Sequence, residues 1–280
     1  MSASVSHHHT AAPAAAPAQQ LRQRENVDLL RPEQLSALRD AFGGVMQISE
    51  RAVIDNRGYQ YFAGLHGLPG QYCRHGNPPG SDPLFLPWHR AYLYFFELAL
   101  RDQVAAATLA WWDWTSPASH RVGIPAAFSD EQVGGEPNPL SKASVQPAAR
   151  RNDQPKETFR QPGQPAELPN AAQVQTILSV RSFSDFTTQI EDVHNAVHGW
   201  TRGTMGIIPW AAYDPIFWAH HANIDRLWRI WQLRHPQNFP ASFLNRALPP
   251  FPLTVAQTLN IKTLGYDYAS TTSSVGGTRA

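Results

Sequence analysis

From Pro32 the chain reads PEQLSALRDAFGG, with Leu35, Leu38 and Phe42 three and four residues apart. Apolar positions at that spacing line one face of a helix of about 3.6 residues per turn. A proline suits the first turn, where its missing N–H would have had no partner. Gly43 is expected to stop this helix. A second helix is expected through YQYFAGLHG, ending near Gly67 and Pro69, and PWHRAYLYFFELALRDQV, from Pro87, gives a third with a strong apolar face. LAWWDWTSP then runs to a proline. Residues 116–170 are rich in Pro, Gly and Gln with little periodicity, and read as a long, mostly irregular surface excursion with short strands. FSDFTTQIEDVHNAVHGW and YDPIFWAHHANIDRLWRIWQLRHP predict two more helices, the second with Asp214 as N-cap and Pro215 at its first position. PLTVAQTLNIKTLGYDYAS reads as one extended segment. The pattern predicts a mainly α single domain over residues 21–268, with long loops and few short strands. It lies between an Ala/Pro-rich tail of residues 1–20, expected to be disordered, and a flexible end of residues 269–280.

Composition narrows the classes of function. The formal net charge is +1 and no Lys/Arg cluster stands out, so no nucleic-acid partner is expected. No apolar run is long enough to span a bilayer, so no membrane partner is expected either. The N-terminus lacks a charged region followed by a continuous apolar one, which argues against a secretory signal and leaves the location cytoplasmic or unknown. One cysteine, Cys73, allows no intramolecular disulfide. Nine tryptophans ask for a deep interior.

The histidines change the picture most. Of twelve, His7, His8 and His9 lie in the tail, and His120 and His235 stand apart and read as ordinary satisfied polar residues. The others form two groups, His66, His75 and His89 in the first half and His194, His198, His220 and His221 in the second. His194 and His198, four apart in HNAVHG, fall on one helical face one turn apart. His220 and His221 diverge by about 100° on their helix, so only one of them can join that pair. Two three-imidazole sites on one helical scaffold point to a dinuclear metal centre inside a bundle. Neutral imidazole suits Zn, Cu, Fe and Ni. The zinc-protease signature needs Glu directly after its first His, where Asn195 stands. An all-imidazole pair best suits copper, which cycles between Cu(I) and Cu(II).

Four ordered stretches, FLPWHRAYLYFFE, WWDWTSP, IEDVHNAVHGW and DPIFWAHHANIDRLW, resemble the tyrosinase, catechol oxidase and haemocyanin superfamily of type 3 copper proteins. The resemblance covers roughly residues 25–268. It implies a four-helix bundle around two copper ions, with O2 as co-substrate. By it, His66, His75 and His89 would hold the first copper and His194, His198 and His221 the second, leaving His220 just behind the ligands. The stretch between His75 and His89 is longer than the family's usual connection. Cys73, two before His75, stands where fungal-type members join a cysteine to this histidine by a thioether; the alternative is a plain buried thiol. Asp113, Glu97 and Asp225 are candidates for orienting the imidazoles. Ile208 occupies the position of the family's gate residue above the first copper. Gly199 leaves bare a wall where some members carry an arginine able to pair with a substrate carboxylate. GYDY matches the tyrosine motif ending the family's catalytic domain, with Arg22 or Arg24 expected to stack on Tyr266 and Tyr268. Twelve residues follow Tyr268, so the expectation is either a chain that never carried the family's lid domain or a processed form that has lost it.

The activity implied is ortho-hydroxylation of monophenols and oxidation of o-diphenols to o-quinones. Glu191, three before His194, and Asn195 would take the phenolic proton through a water, as proposed for members carrying this pair. The partner expected is a small phenol or catechol; nothing in the sequence names a copper-delivery partner. Alternatives on the same scaffold are a catechol oxidase or o-aminophenol oxidase without monophenolase activity, and a haemocyanin-like O2 carrier.

Overall fold

Pro32–Arg51 forms one helix, eight residues longer than the Gly43 stop would allow. Its apolar face continues past the glycines through Val45 and Ser49, both buried. Gly44 packs against Gln103 at the end of the Phe85–Gln103 helix. A Cβ there would come within 2.8 Å of Gln103 Cγ, so the missing side chain serves helix packing and not termination. A computed structural model describes the chain over residues 21–269; the expected disordered tail 1–20 and the end 270–280 lie outside the described residues.

Four helices bring histidines inward: Tyr59–His66, Phe85–Gln103, Phe183–Thr201 and Ile216–Arg234. Phe85–Gln103 is central and packs on Pro32–Arg51, Phe183–Thr201 and Ile216–Arg234. The last helix begins one residue later than expected, with the Asp214 carboxylate accepting from the Ile216 N–H at 3.2 Å. Trp88, Trp112, Trp114, Trp218, Trp228 and Trp231 are fully buried, and Trp218 stacks on Phe96. No helix among the described residues is long and apolar enough to cross a membrane.

Residues 116–170 are irregular, as expected, with two short helices, two 3-10 turns and a two-residue hairpin. They are not a surface excursion. Phe128, Leu140, Val145, Ala149 and Leu168 enter the core. The loop is stapled by Arg160, whose guanidinium pairs with buried Asp214 and donates to the carbonyls of Phe128 and Leu140. A further helix, Ala171–Ser179, went unread in the sequence; its signal is Asn170, whose side chain accepts from Gln173 N–H while Gln173 reaches back to Asn170 N–H.

The C-terminal segment is not one extended piece. Phe251–Thr254 is a strand, Val255–Thr258 a helical turn started by a Thr254–Gln257 capping box, and Ile261–Leu264 a 3-10 turn capped by Asn260. Tyr266–Tyr268 then pairs in parallel with Arg22–Arg24, joining the two ends of the described chain. Arg24, not Arg22, stacks on Tyr266, 3.7 Å from the ring centre, and lies over Tyr268. Arg22 instead donates to the Ala105 carbonyl.

Candidate metal centre

His66 ends one helix, His89 lies in the first turns of another, and His194 and His198 stand one turn apart on a third. His221 comes from the fourth, and His75 alone comes from a non-helical segment. The structure turns these six rings toward a common centre. His66 Nε2 and His75 Nε2 are 3.2 Å apart. In the second trio, Nε2 of His198 is 2.9 Å from that of His194, which is 3.1 Å from that of His221. The trios meet face to face. His89 stacks on His221 with ring centres 4.6 Å apart, and His75 stacks on His194 at 5.1 Å.

Several Nδ1 atoms have acceptors of their own. His89 Nδ1 lies 2.8 Å from the Phe85 carbonyl, His198 Nδ1 2.7 Å from the Met205 carbonyl, and His194 Nδ1 3.1 Å from Asn195 Oδ1. His75 Nδ1 is 3.5 Å from Glu191 Oε1. Protons on these Nδ1 atoms leave the Nε2 lone pairs free and aimed inward. Burial, followed by neighbouring imidazoles, holds His66, His89, His194 and His221 well below the usual histidine range. Burial brings His198 down to about 4. These five rings are therefore neutral at pH 7. Neutral lone pairs pointed at one another across about 3 Å have nothing to gain from such closeness unless cations sit between them. His89 Nε2, buried with no partner among the described residues, makes the same point. The donor set is nitrogen only and fits a copper pair.

His220 is gathered into the same region but does not share the geometry. It stacks on His194 with ring centres 5.1 Å apart, and neither of its nitrogens has a partner among the described residues. The short Nε2 contacts belong to His221.

Three expected orienters do other work. Asp113 accepts from the N–H and hydroxyl of Thr115. Glu97 accepts from Arg24 and from the Leu109 N–H. Asp225 accepts from Arg90, Tyr266 and Tyr268 and pairs with Arg24. None touches an imidazole of the centre. Glu97 and Asp225 are deeply buried and are held by arginines, whose charge can match theirs as a neutral ring cannot; half-buried Asp113 is taken by Thr115. The carbonyls of Phe85 and Met205 take the orienting role. Phe85 was legible in principle as the i−4 carbonyl of the His89 helix; Met205 carries no sequence signal. His120 and His235 bond backbone carbonyls of Pro169 and Leu178, away from the centre.

The tyrosinase family, described as the common central domain of tyrosinase, matches residues 56–234, a span that contains all six histidines. The chain belongs to the tyrosinase family of type 3 copper proteins. Among its relatives, "Hemocyanin, units G and H" of Sepia officinalis is 32% identical over 226 residues, which is 75% of this chain and 37% of that protein. The tyrosinase of Streptomyces glaucescens is 34% identical over 182 residues, 55% of this chain and 64% of that protein. The chain thus spans little more than a third of the Sepia protein, and 8% of the G-type haemocyanin of Enteroctopus dofleini. Of solved structures, a functional unit of octopus haemocyanin superposes with TM-score 0.74 at 27% identity, covering 89% of this chain and 68% of that one. A tyrosinase from Burkholderia thailandensis gives 0.79 at 22% identity, covering 92% and 75%, and speaks to the fold alone.

At the rim, Ile208 is 54% exposed and lines a recess of about 230 Å³ with His66, Gly67, Gln71 and Cys73. Gly199 is exposed, and a Cβ added to it would meet nothing within 4 Å. Cys73 is half-buried, with its sulfur within 4.8 Å of nitrogens of His66 and His75.

Proposed function

We propose that this chain is a copper-dependent phenol oxidase that uses O2 to hydroxylate monophenols at the ortho position and to oxidise o-diphenols to o-quinones. His66, His75 and His89 hold one copper, and His194, His198 and His221 the other. A copper pair, when bound, supplies the O2 binding and electron exchange of the reaction. The protein holds the six nitrogens in place, sets their tautomers through the Phe85 and Met205 carbonyls and Asn195, and surrounds them with apolar rings such as Phe85 and Phe217. A monophenol must also give up its phenolic proton, which has a pKa of about 10. The resemblance gives this task to Glu191 and Asn195. Each Glu191 oxygen keeps a lone pair beyond the bonds it already makes.

The relatives include oxygen carriers and phenol oxidases alike, and both use the same kind of centre. The observation that carries the oxidase reading is access. Among the described residues, half-buried His198 lies one residue before bare, exposed Gly199, and the recess that Ile208 lines reaches His66, which gives a small phenol two approaches to the centre. A carrier needs that approach closed against phenols. The test is copper-loaded protein mixed in air with catechol, tyramine and o-aminophenol. Quinone absorbance from catechol and tyramine is expected. Two bound coppers with reversible O2 uptake and no colour would make the protein a carrier; colour from o-aminophenol alone would make it an o-aminophenol oxidase.

The Cys73–His75 thioether belongs to the same proposal. Losing two hydrogens, copper-matured protein should weigh about 2 Da less than its sequence formula, and denatured Cys73 should resist alkylation. A freely alkylated thiol would leave Cys73 a packing residue.

A further inference from the structure

His75 is the one histidine of the six that no helix holds, and the segment carrying it is fastened from outside. At its base Arg74 pairs with Asp82 at 2.7 Å. At its middle two backbone N–H groups, of Gly76 and Gly80, donate to the two oxygens of Glu191 at 2.7 and 2.6 Å. Glu191 Oε1 also lies 3.5 Å from His75 Nδ1. Glu191 is completely buried, and a carboxylate is tolerated there only when its oxygens are bonded. Hydrogen bonds to a charged acceptor are about twice as strong as neutral ones. Both donors are glycines, and Gly80 has to be. Its φ is +78°, and a Cβ would sit 2.0 Å from the Thr188 hydroxyl oxygen, on the same helix as Glu191. The long His75–His89 connection thus comes down on the helix that carries His194 and His198.

We propose that Glu191 is a positioning residue that straps the His75 segment to the His194 helix, so that the helix of one imidazole trio assembles the other. The proposal rests on reading the six histidines as copper ligands, and it gives Glu191 a task apart from proton transfer. The two trios should fail unequally. Loosening the strap frees His75 and leaves His66 and His89 alone at the first position. His194, His198 and His221 keep their own helices and their own acceptors.

The experiment uses the full chain with Glu191→Gln and, separately, Gly80→Ala, which loosens the strap from the other side while leaving the carboxylate in place. In copper-free protein, hydrogen exchange across residues 72–84 should quicken roughly tenfold or more in both variants, with the His194 helix unchanged. On titration with copper, binding should fall from about two tight ions per chain to about one, because one trio is reduced to two fixed ligands. The remaining Cu(II) should give the spin-half resonance of an isolated ion. Turnover of monophenol and diphenol should fall together. Either variant binding two coppers with unchanged exchange overturns the strap. So does a Glu191→Gln protein that keeps both coppers and loses monophenol turnover alone, which would make proton transfer the role of Glu191. These readouts stand apart from the oxidase reading. The exchange measurement needs neither copper nor substrate, and the copper count needs no turnover.

Discussion

His220 and His221 are neighbours in sequence, and the turn of the helix separates their tasks. His221 puts Nε2 within 3.4 Å of both His194 and His198, whereas His220 meets them through ring faces and edges. His221→Ala should therefore abolish tight binding of the second copper, and His220→Ala should keep both ions and lose only stability, about 1–3 kcal/mol for a truncated buried ring. Metal analysis and denaturant unfolding check the pair, and the reverse order would mean that His220 is the ligand. Gly199 makes a second prediction at this scale. With no cation at that wall to offset the desolvation of a carboxylate, tyrosine should have no large advantage over tyramine. Gly199→Arg has room for its side chain and should raise the tyrosine-to-tyramine ratio of kcat/KM by about tenfold, the worth of one charge-assisted contact. An unchanged ratio would show that the substrate's carboxylate does not pass this wall.

At the scale of elements, one ion pair staples the 116–170 loop to the start of the His221 helix, beside the apolar residues that the loop sends into the core. Asp214 is buried, Arg160 is largely covered, and Arg160 also serves two loop carbonyls. Arg160→Met leaves the buried Asp214 charge with the Ile216 N–H but no cation at the start of the His221 helix, and should cost about 3–5 kcal/mol. Arg160→Met combined with Asp214→Asn should cost less, since the stranded charge is gone. Urea unfolding of the three proteins decides this; equal losses would assign the effect to packing of the arginine stem.

Over the whole molecule, Asp225 gathers Arg90, Arg24, Tyr266 and Tyr268, residues from the first strand, the His89 helix and the last strand. Burial alone would raise its pKa; Arg90 and Arg24, with the two tyrosine hydroxyls, hold it below the usual carboxylate value. The folded protein then releases this proton more readily than the unfolded one. The stabilisation is present in full above the unfolded pKa of about 3.9 and is lost as pH falls from there through the folded value. Asp225→Asn should lower stability at neutral pH and flatten the acid limb of the stability curve below about pH 4. An acid limb that keeps its slope in Asp225→Asn would place the titration in other carboxylates.

Much of this protein is set by its sequence alone. Helices with a buried face must repeat their apolar residues at the helical period, so the four His-bearing helices were legible, and so were the two histidine groups they carry. The motifs around those histidines were enough to name the family. What the sequence left undecided depends on contacts between distant segments. Gly43 looked like a stop because a glycine's local meaning is a helix end, and only the neighbouring Gln103 reveals that Gly44 serves close packing. The C-terminal stretch looked extended because its short turns are held by caps and by the strand at Arg22–Arg24, not by periodicity. Glu97 and Asp225 looked like imidazole partners because they share helices with His89 and His221, and Asp113 because it stands between tryptophans in the WWDWTSP motif. Charge pairing across the fold claimed Glu97 and Asp225 instead, and Thr115 claimed Asp113. The Glu191 strap was hidden for the same reason: a backbone N–H has no side chain to announce it, and only the folded chain brings Gly76 and Gly80 to the carboxylate.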